Sequence, residues 1–288
     1  MDFHIETMHS HEYPPGLLEI PDIPESLHYV GAPLPKDALY LCVIGARTHT
    51  SYGADACDKL IRGLAGSGII IVSGLALGTD SIAHRSAMKA GLRTVAFPGS
   101  GLGERVLYPA TNLSLAKEIL AAGGTLVSEF KPDFKATLWS FPRRNRLMAG
   151  LCRATLMIEA AEKSGTLITA RLALDYNREV LAVPGPITSP ASLGPNLLIK
   201  QGAVPITRSE DILEIFGLKQ GALFAGREAG FENLSAEEKA IMEFLAEPLS
   251  RDALLELVGK EAHEVNSILS AMEIKGLIKE EYGEIRRV

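Results

Sequence analysis

Six short apolar runs, at residues 39–44, 68–72, 93–97, 125–127, 155–158 and 180–183, recur along the chain, with helical patterns between them at 54–65, 79–90, 112–122 and 167–176. The runs are continuously apolar instead of alternating, as in strands covered by helices on both faces. Strand and helix in this alternation predict βα units on a mostly parallel sheet. A helix over 211–216, stopped by Gly217, closes the region. With 288 residues, 47% of them hydrophobic, the chain can bury one domain of about 200 residues and a smaller one beside it.

The flanks read differently. Residues 1–38 are rich in Pro and His and show no sustained period, so an irregular lead-in is expected there. His4, His9 and His11 sit close together, but their place near a terminus favours incidental surface histidines over a metal tract. Gly221, Gly226 and Gly230 punctuate a linker at 218–230. Beyond it, three helical stretches (234–245, 251–258, 262–275) and a hairpin of 277–279 with 284–287 resemble a winged-helix module over 231–288. Ser235 followed by Glu238 is a capping-box pattern for the first of these helices.

Composition excludes some classes. The net charge of −6 argues against an overall basic coat while leaving room for a local basic cleft. Cys42, Cys57 and Cys152 lie far apart without CxxC spacing, so reduced, buried thiols are expected and neither a disulfide framework nor a zinc cluster. The absence of a long apolar span or a signal-peptide pattern makes the cytoplasm the expected setting, with no membrane partner.

The glycine-rich loops follow the apolar runs. Gly45-Ala46-Arg47 follows the first, Ser73-Gly74 through Gly78-Thr79-Asp80 the second, and Gly99-Ser100-Gly101 the third; Ser164-Gly165-Thr166 opens a later helix. In an open parallel sheet such loops converge at the carboxyl ends of the strands, where ligands bind. Glycine admits an anion close to the backbone and helix N-terminal N–H groups donate to it, so a phosphate-bearing ligand is expected. Neither GxGxxG after the first strand nor GxxxxGK[ST] occurs, which removes the main support for a dinucleotide cofactor or P-loop hydrolysis.

Arg143, Arg144 and Arg146, with Asn145 between them, form the sharpest basic feature. Three arginines in four positions cannot share one helix face. At least one is therefore expected to pair within the fold, around Glu129, Asp133 or Glu159, while another meets phosphate through its planar fork. Phe134, Trp139 and Phe141 lie beside them, as stacking rings or as core. His84, four residues after Asp80 and with Ser73 near, is open to an acid/base reading, although local hydrogen bonding at a helix start fits it better. Glu129 and Glu159 follow strands as candidate carboxylates, yet no nucleophile elbow, HExxH or close metal set accompanies them. No catalytic residue or metal is assigned.

Several segments together resemble the bacterial DNA-processing protein A family, also called Smf. They are Ser73-Gly74-Leu75-Ala76 with Asp80 and Ala83-His84; Pro98-Gly99-Ser100-Gly101-Leu102 with Tyr108-Pro109; Ser128-Glu129; and Phe141-Pro142-Arg143-Arg144-Asn145-Arg146. Glu159-Ala160, Ser164 to Ala170, Arg178-Glu179-Val180, Pro184-Gly185 and Gly194 with Asn196-Leu197-Leu198-Ile199 continue the match, which covers about 13–216. The resemblance implies a Rossmann-like α/β domain over 39–217 with a C-terminal winged helix. It implies a non-enzymatic, homodimeric binder of single-stranded DNA that protects incoming strands in natural transformation and loads them with the RecA recombinase. Carried over by position, Gly45, Arg47, Ser73, Gly74, Gly99, Ser100, Gly101, the stretch Arg143-Arg144-Asn145-Arg146, and Ser164, Gly165 and Thr166 would line the strand site. Gly78-Thr79-Asp80 departs from the common Gly-Ile-Asp, and the 38 or so residues before the domain are too few for the SAM-type helical domain of many relatives.

Two other classes stay open. A nucleotide-processing enzyme of the phosphoribohydrolase type would place similar anion loops at the same sheet edge. An adaptor would act through the winged helix, where 231–288 holds 13 acidic residues against seven Lys or Arg, a balance as suited to protein contact as to duplex DNA.

Overall fold

A computed structural model describes residues 3–218, 235–245, 249–259, 262–275, 277–281 and 284–287. They fall into two compact units, Met1–Gln220 and Gly221–Val288. Beyond Leu218, the expected linker lies outside the described residues.

The first unit is built on a nine-stranded sheet ordered β1-β2-β6-β5-β4-β3-β7-β8-β9. The seven strands β3 (Tyr40–Ile44), β4 (Ile70–Ser73), β5 (Thr94–Ala96), β6 (Thr125–Ser128), β7 (Ala154–Met157), β8 (Glu179–Ala182) and β9 (Val204–Pro205) run parallel. From β3 the chain winds outward to β6, then returns to lay β7 on the other side of β3. That reversal opens a crevice between the carboxyl ends of β3 and β7. Strands β3 to β7 are buried along their whole lengths, which explains their unbroken apolar runs. The core includes Cys42, Val72, Phe97, Val127, Met157 and Ala182 from strands and their ends. All three cysteines are free and buried.

Connecting helices are α2 (Ser51–Arg62), α3 (Thr79–Lys89), α4 (Leu113–Ala121), α5 (Ser140–Leu151), α6 (Thr166–Asp175), α7 (Leu193–Lys200) and α8 (Ser209–Ile215). Helix α2 begins three residues earlier than its periodicity predicts because the Thr50 hydroxyl caps it, accepting from the Gly53 N–H at 3.1 Å.

Within the expected lead-in, residues 3–38 are not irregular. Glu6–His9 (β1) and Ser26–Gly31 (β2) form an antiparallel pair that extends the sheet beyond β6, and the short helix α1 (Pro15–Leu18) lies between them. Only Met8 is buried in β1; in β2 Leu27 and Val30 are, three apart and so on opposite faces, Leu27 in the main core and Val30 in a second cluster with Leu126. Buried positions this sparse leave no apolar run to mark the pair. Tyr13 and Leu17 are nevertheless part of the main core.

His84 lies in α3 with no exposed surface, its Nδ1 2.7 Å from Thr94 Oγ1. The Thr94 hydroxyl donates to the Ile71 carbonyl at 2.9 Å, so its oxygen accepts from an Nδ1–H. Nε2 is then a bare lone pair, which fits its having no partner. This places the imidazole in the helix–sheet packing, away from any acid/base role. Burial drives the pKa down to about 3, aided by the charges of Arg144 and Arg85. In acid the unfolded chain takes up a proton that the folded one refuses. Stability is intact above about pH 6.5 and falls as pH drops toward 3. At about pH 5 the loss is about 2 kcal/mol. Denaturant titrations should show that loss, and His84→Gln should flatten the profile.

The second unit packs helices Ala236–Phe244, Arg251–Val258 and Ala262–Ile274 against a three-stranded antiparallel sheet of Leu249–Ser250, Glu284–Arg287 and Ile278–Glu281. Ile241, Leu254, Val265, Leu269, Met272 and Ile285 form its core. The capping box is present, with Ser235 N–H on Glu238 Oε2 at 2.9 Å and Glu238 N–H on Ser235 Oγ at 3.1 Å. Three helices and a wing-like hairpin are the expected arrangement; Tyr282 and Gly283, at its turn, lie outside the described residues.

Candidate functional site

The loop leaving β3 carries Gly45, Ala46 and Arg47 into the capped start of α2. Glu159, at the end of β7, fixes it by accepting from the Thr50 N–H at 2.9 Å and the Thr50 hydroxyl at 2.5 Å. Glu159 is 1% exposed, a clamp between two strand ends instead of a free carboxylate. Arg47 stands exposed, its guanidinium carbon 5.4 Å from the centre of the Phe141 ring. None of the carboxylates described pairs with it.

Helix α5 divides the three arginines. Arg144 is 7% exposed and donates from Nη1 to the carbonyls of Gly74 and Phe97. On its other side the Gly74 peptide gives its N–H to Asp80 Oδ2 at 3.1 Å, and Ala76 N–H binds the same oxygen at 3.2 Å. The Gly74 peptide thus links the Asp80 carboxyl to the Arg144 guanidinium. Burial pushes the Asp80 pKa up, while Arg144 and the two N–H groups work against it. Burial also pushes the Arg144 pKa down, opposed by Asp80. Arg146, equally buried, pairs with Glu129 and, at 3.5 Å, with Asp22. Arg143 is half-exposed and touches Glu129 through Nε at 3.2 Å.

After β7 the chain reaches Ser164, Gly165 and Thr166 at the start of α6. Ser164 Oγ lies 2.6 Å from Thr166 Oγ1 and accepts from the Thr166 N–H at 3.3 Å. Gly165, the N-cap residue, brings no side chain, and the Leu167 and Ile168 N–H groups turn back to the Ser164 and Gly165 carbonyls at 3.1 and 3.2 Å. A Cβ on Gly165 would meet only open space, so a ligand can approach its backbone. The other candidate glycines are packed: a Cβ on Gly45 would overlap Thr79, on Gly74 the Arg144 guanidinium, on Gly99 the Phe141 ring, and on Gly101 the Lys131 and Pro132 carbonyls.

These parts enclose a cleft of about 550 Å³ in the crevice between β3 and β7, lined by Gly45, Arg47, Phe141, Arg144, Asn145, Ser164, Gly165 and Thr166 among others. Its rim has a cation without a carboxylate partner and the positive end of the α6 dipole at the open Gly165, both suited to an anion. The wall is apolar and aromatic through Phe141, Met148 and Ile168.

The model of the family DNA recombination-mediator protein A matches residues 4–217, and that of the DprA winged helix domain matches 227–284. The chain belongs to this family. Protein Smf of Escherichia coli is 38% identical over 281 residues, 96% of this chain and 75% of that protein. DNA processing protein DprA of Bacillus subtilis is 39% identical over 206 residues, 71% of this chain and 68% of that protein. The X-ray structure of DNA processing protein A from Streptococcus pneumoniae superposes with a TM-score of 0.67 at 36% identity, covering 73% of this chain and 74% of that one. A structure reporting the single-stranded DNA binding mode of the Helicobacter pylori protein gives a TM-score of 0.66 at 32% identity, covering 74% and 96%.

Within the family frame, the residues singled out in the sequence are spread over more than the cleft. Gly74 borders a small neighbouring hollow with Leu77, Tyr108 and Phe141. The Ser73 hydroxyl donates to the Val43 carbonyl at 2.7 Å, and that of Ser100 to the Gly101 carbonyl at 2.9 Å; both serines are fully buried. Ser73, Gly99, Ser100, Gly101, Arg143 and Arg146 do not line the cleft. Thr48, Ala76, Met148, Ala161, Ile168 and Thr169 do, without having been singled out as site residues. Met148 lies one helical turn after Arg144, a spacing that was readable in advance.

Proposed function

We propose that this chain binds single-stranded DNA in the cleft between β3 and β7 and does so without catalysis. The observation that carries the reading is one cleft lined by Arg47, which no described carboxylate pairs with, by the open backbone at Gly165, and by an aromatic and apolar wall. Phosphates would sit against the Arg47 guanidinium and the backbone around Gly165, and a base against Phe141 or Ile168. Such a site grips the backbone and leaves base edges largely unread. The Helicobacter pylori relative, with its reported single-stranded DNA binding mode, supports this choice of ligand.

In this reading the reversal in strand order is a Rossmann-like switch point whose usual cofactor loop has been replaced by a polymer groove. Family membership supports a role in natural transformation: a cytoplasmic homodimer that protects incoming strands and hands them to the RecA recombinase. Titration of a labelled single strand at increasing salt tests the cleft. Log affinity should fall linearly with log salt, with a slope of about −0.7 per phosphate neutralised. A flat salt response, or equal competition by duplex DNA, would sink the proposal.

A further inference from the structure

Leu138 and Trp139 stand next to each other at the start of α5, 91% and 55% exposed. Single exposed apolar residues are ordinary, but a consecutive pair that includes the chain's one tryptophan is a costly surface to leave in water. The Trp139 ring is also held. It meets Phe130 edge-on at 5.6 Å and Phe134 at 5.5 Å, and those two rings stack on each other at 4.5 Å. An exposed ring already fixed in orientation loses little freedom when a flat partner lies on it.

The charges around it have one sign in excess. Lys131 and Lys135 are exposed on the loop that supplies Phe130 and Phe134, with Asp133 between them. Arg143 follows Trp139 by one helical turn, its N–H 3.4 Å from the Trp139 carbonyl, so the two share a side of the helix. Arg143 is half-exposed, and its Nε contact with Glu129 leaves most of its five donors free. Phe141, on the cleft wall, is two residues from Trp139, at most about 7 Å of chain.

We propose that Trp139 and Arg143 form a second nucleotide subsite outside the cleft, where a base of the bound strand stacks on the indole and its phosphate meets the guanidinium. The inference rests on the cleft reading and extends it along α5. It gives a place on the strand's path to Arg143, which the cleft does not include.

Trp139 emission is a direct reporter, since no other tryptophan contributes. The full-length protein is titrated with a fluorescently labelled oligothymidine spanning both subsites, following anisotropy of the label and, in parallel with unlabelled strand, the indole emission. Both signals should saturate together. Thymidine monophosphate, too short to occupy the cleft and reach Trp139 together, should leave the emission unchanged at concentrations that fill the cleft. Trp139→Ala should weaken binding of the long strand about ten-fold, and Trp139→Phe, which keeps a stacking ring, should recover most of that loss. If anisotropy shows binding while the emission stays constant and Trp139→Ala binds like the wild type, the second subsite is wrong and the cleft survives. If neither signal changes, the cleft reading falls and the subsite with it. If Trp139→Ala instead lowers the mass of the free protein in solution and leaves strand affinity intact, the exposed pair serves a second copy of the chain, which also overturns the proposal.

Discussion

Arg47→Ala is expected to reduce affinity for single-stranded DNA by about 10- to 100-fold while leaving the fold in place, because a charge-assisted phosphate contact is worth about 1.5–3 kcal/mol. The side chain is exposed and its recorded interaction is with the Phe141 ring, so its loss costs the folded state little. Salt titrations of the variant should show a slope shallower by about 0.7. Arg47→Lys should recover part of the affinity, since it keeps the charge and gives up the planar fork. Unchanged affinity in the alanine variant, with its circular dichroism intact, would remove the cleft from consideration.

Arg144→Ala should behave in the opposite way, as a lesion in folding. The guanidinium serves the carbonyls of Gly74 and Phe97 from a buried position, and its charge opposes the burial that pushes Asp80 up. Its removal leaves two buried acceptors without that donor and the buried Asp80 carboxyl without its counter-charge, at a cost of about 3–5 kcal/mol. Urea denaturation should show a correspondingly lower midpoint, with any loss of DNA binding following from the loss of native protein. A variant as stable as the wild type but unable to bind would make Arg144 a ligand contact and not a brace.

The difference between these two arginines was beyond the sequence, although their neighbourhood was not. Parallel strands announce themselves because both faces are buried, and observed boundaries lie within about two residues of the apolar runs for β3 through β8. The outer pair gives no such signal, since the edge strand β1 buries only Met8 and β2 buries only Leu27 and Val30, on opposite faces with half-buried residues between them. The need for an internal ion pair followed from crowding three arginines into one helical turn, and Glu129 was among its candidate partners. Which arginine it took was decided by how α5 is seated against α1, α6 and β3, a tertiary fact. Thus Arg146 went to Glu129 from a buried position, Arg144 to the loops after β4 and β5, and Arg143 to the same Glu129 from the exposed side, outside the cleft. The glycines misled for a related reason. Close approach was the right inference, but at Gly45, Gly74, Gly99 and Gly101 the approaching group belongs to the protein itself.

That crowding separates what identifies a member of this family from what lets it act. Evolution can alter Arg47 or fill the space above Gly165 without disturbing the fold, whereas Gly74 and Gly99 are held in place by the guanidinium and the ring pressed against them. A descendant that had abandoned nucleic acid would therefore keep most of the glycine signature and still be recognised as kin. If strands bind in the cleft as proposed, the exposed arginine and the open backbone at Gly165 would be the better marks by which to tell working proteins from retired ones.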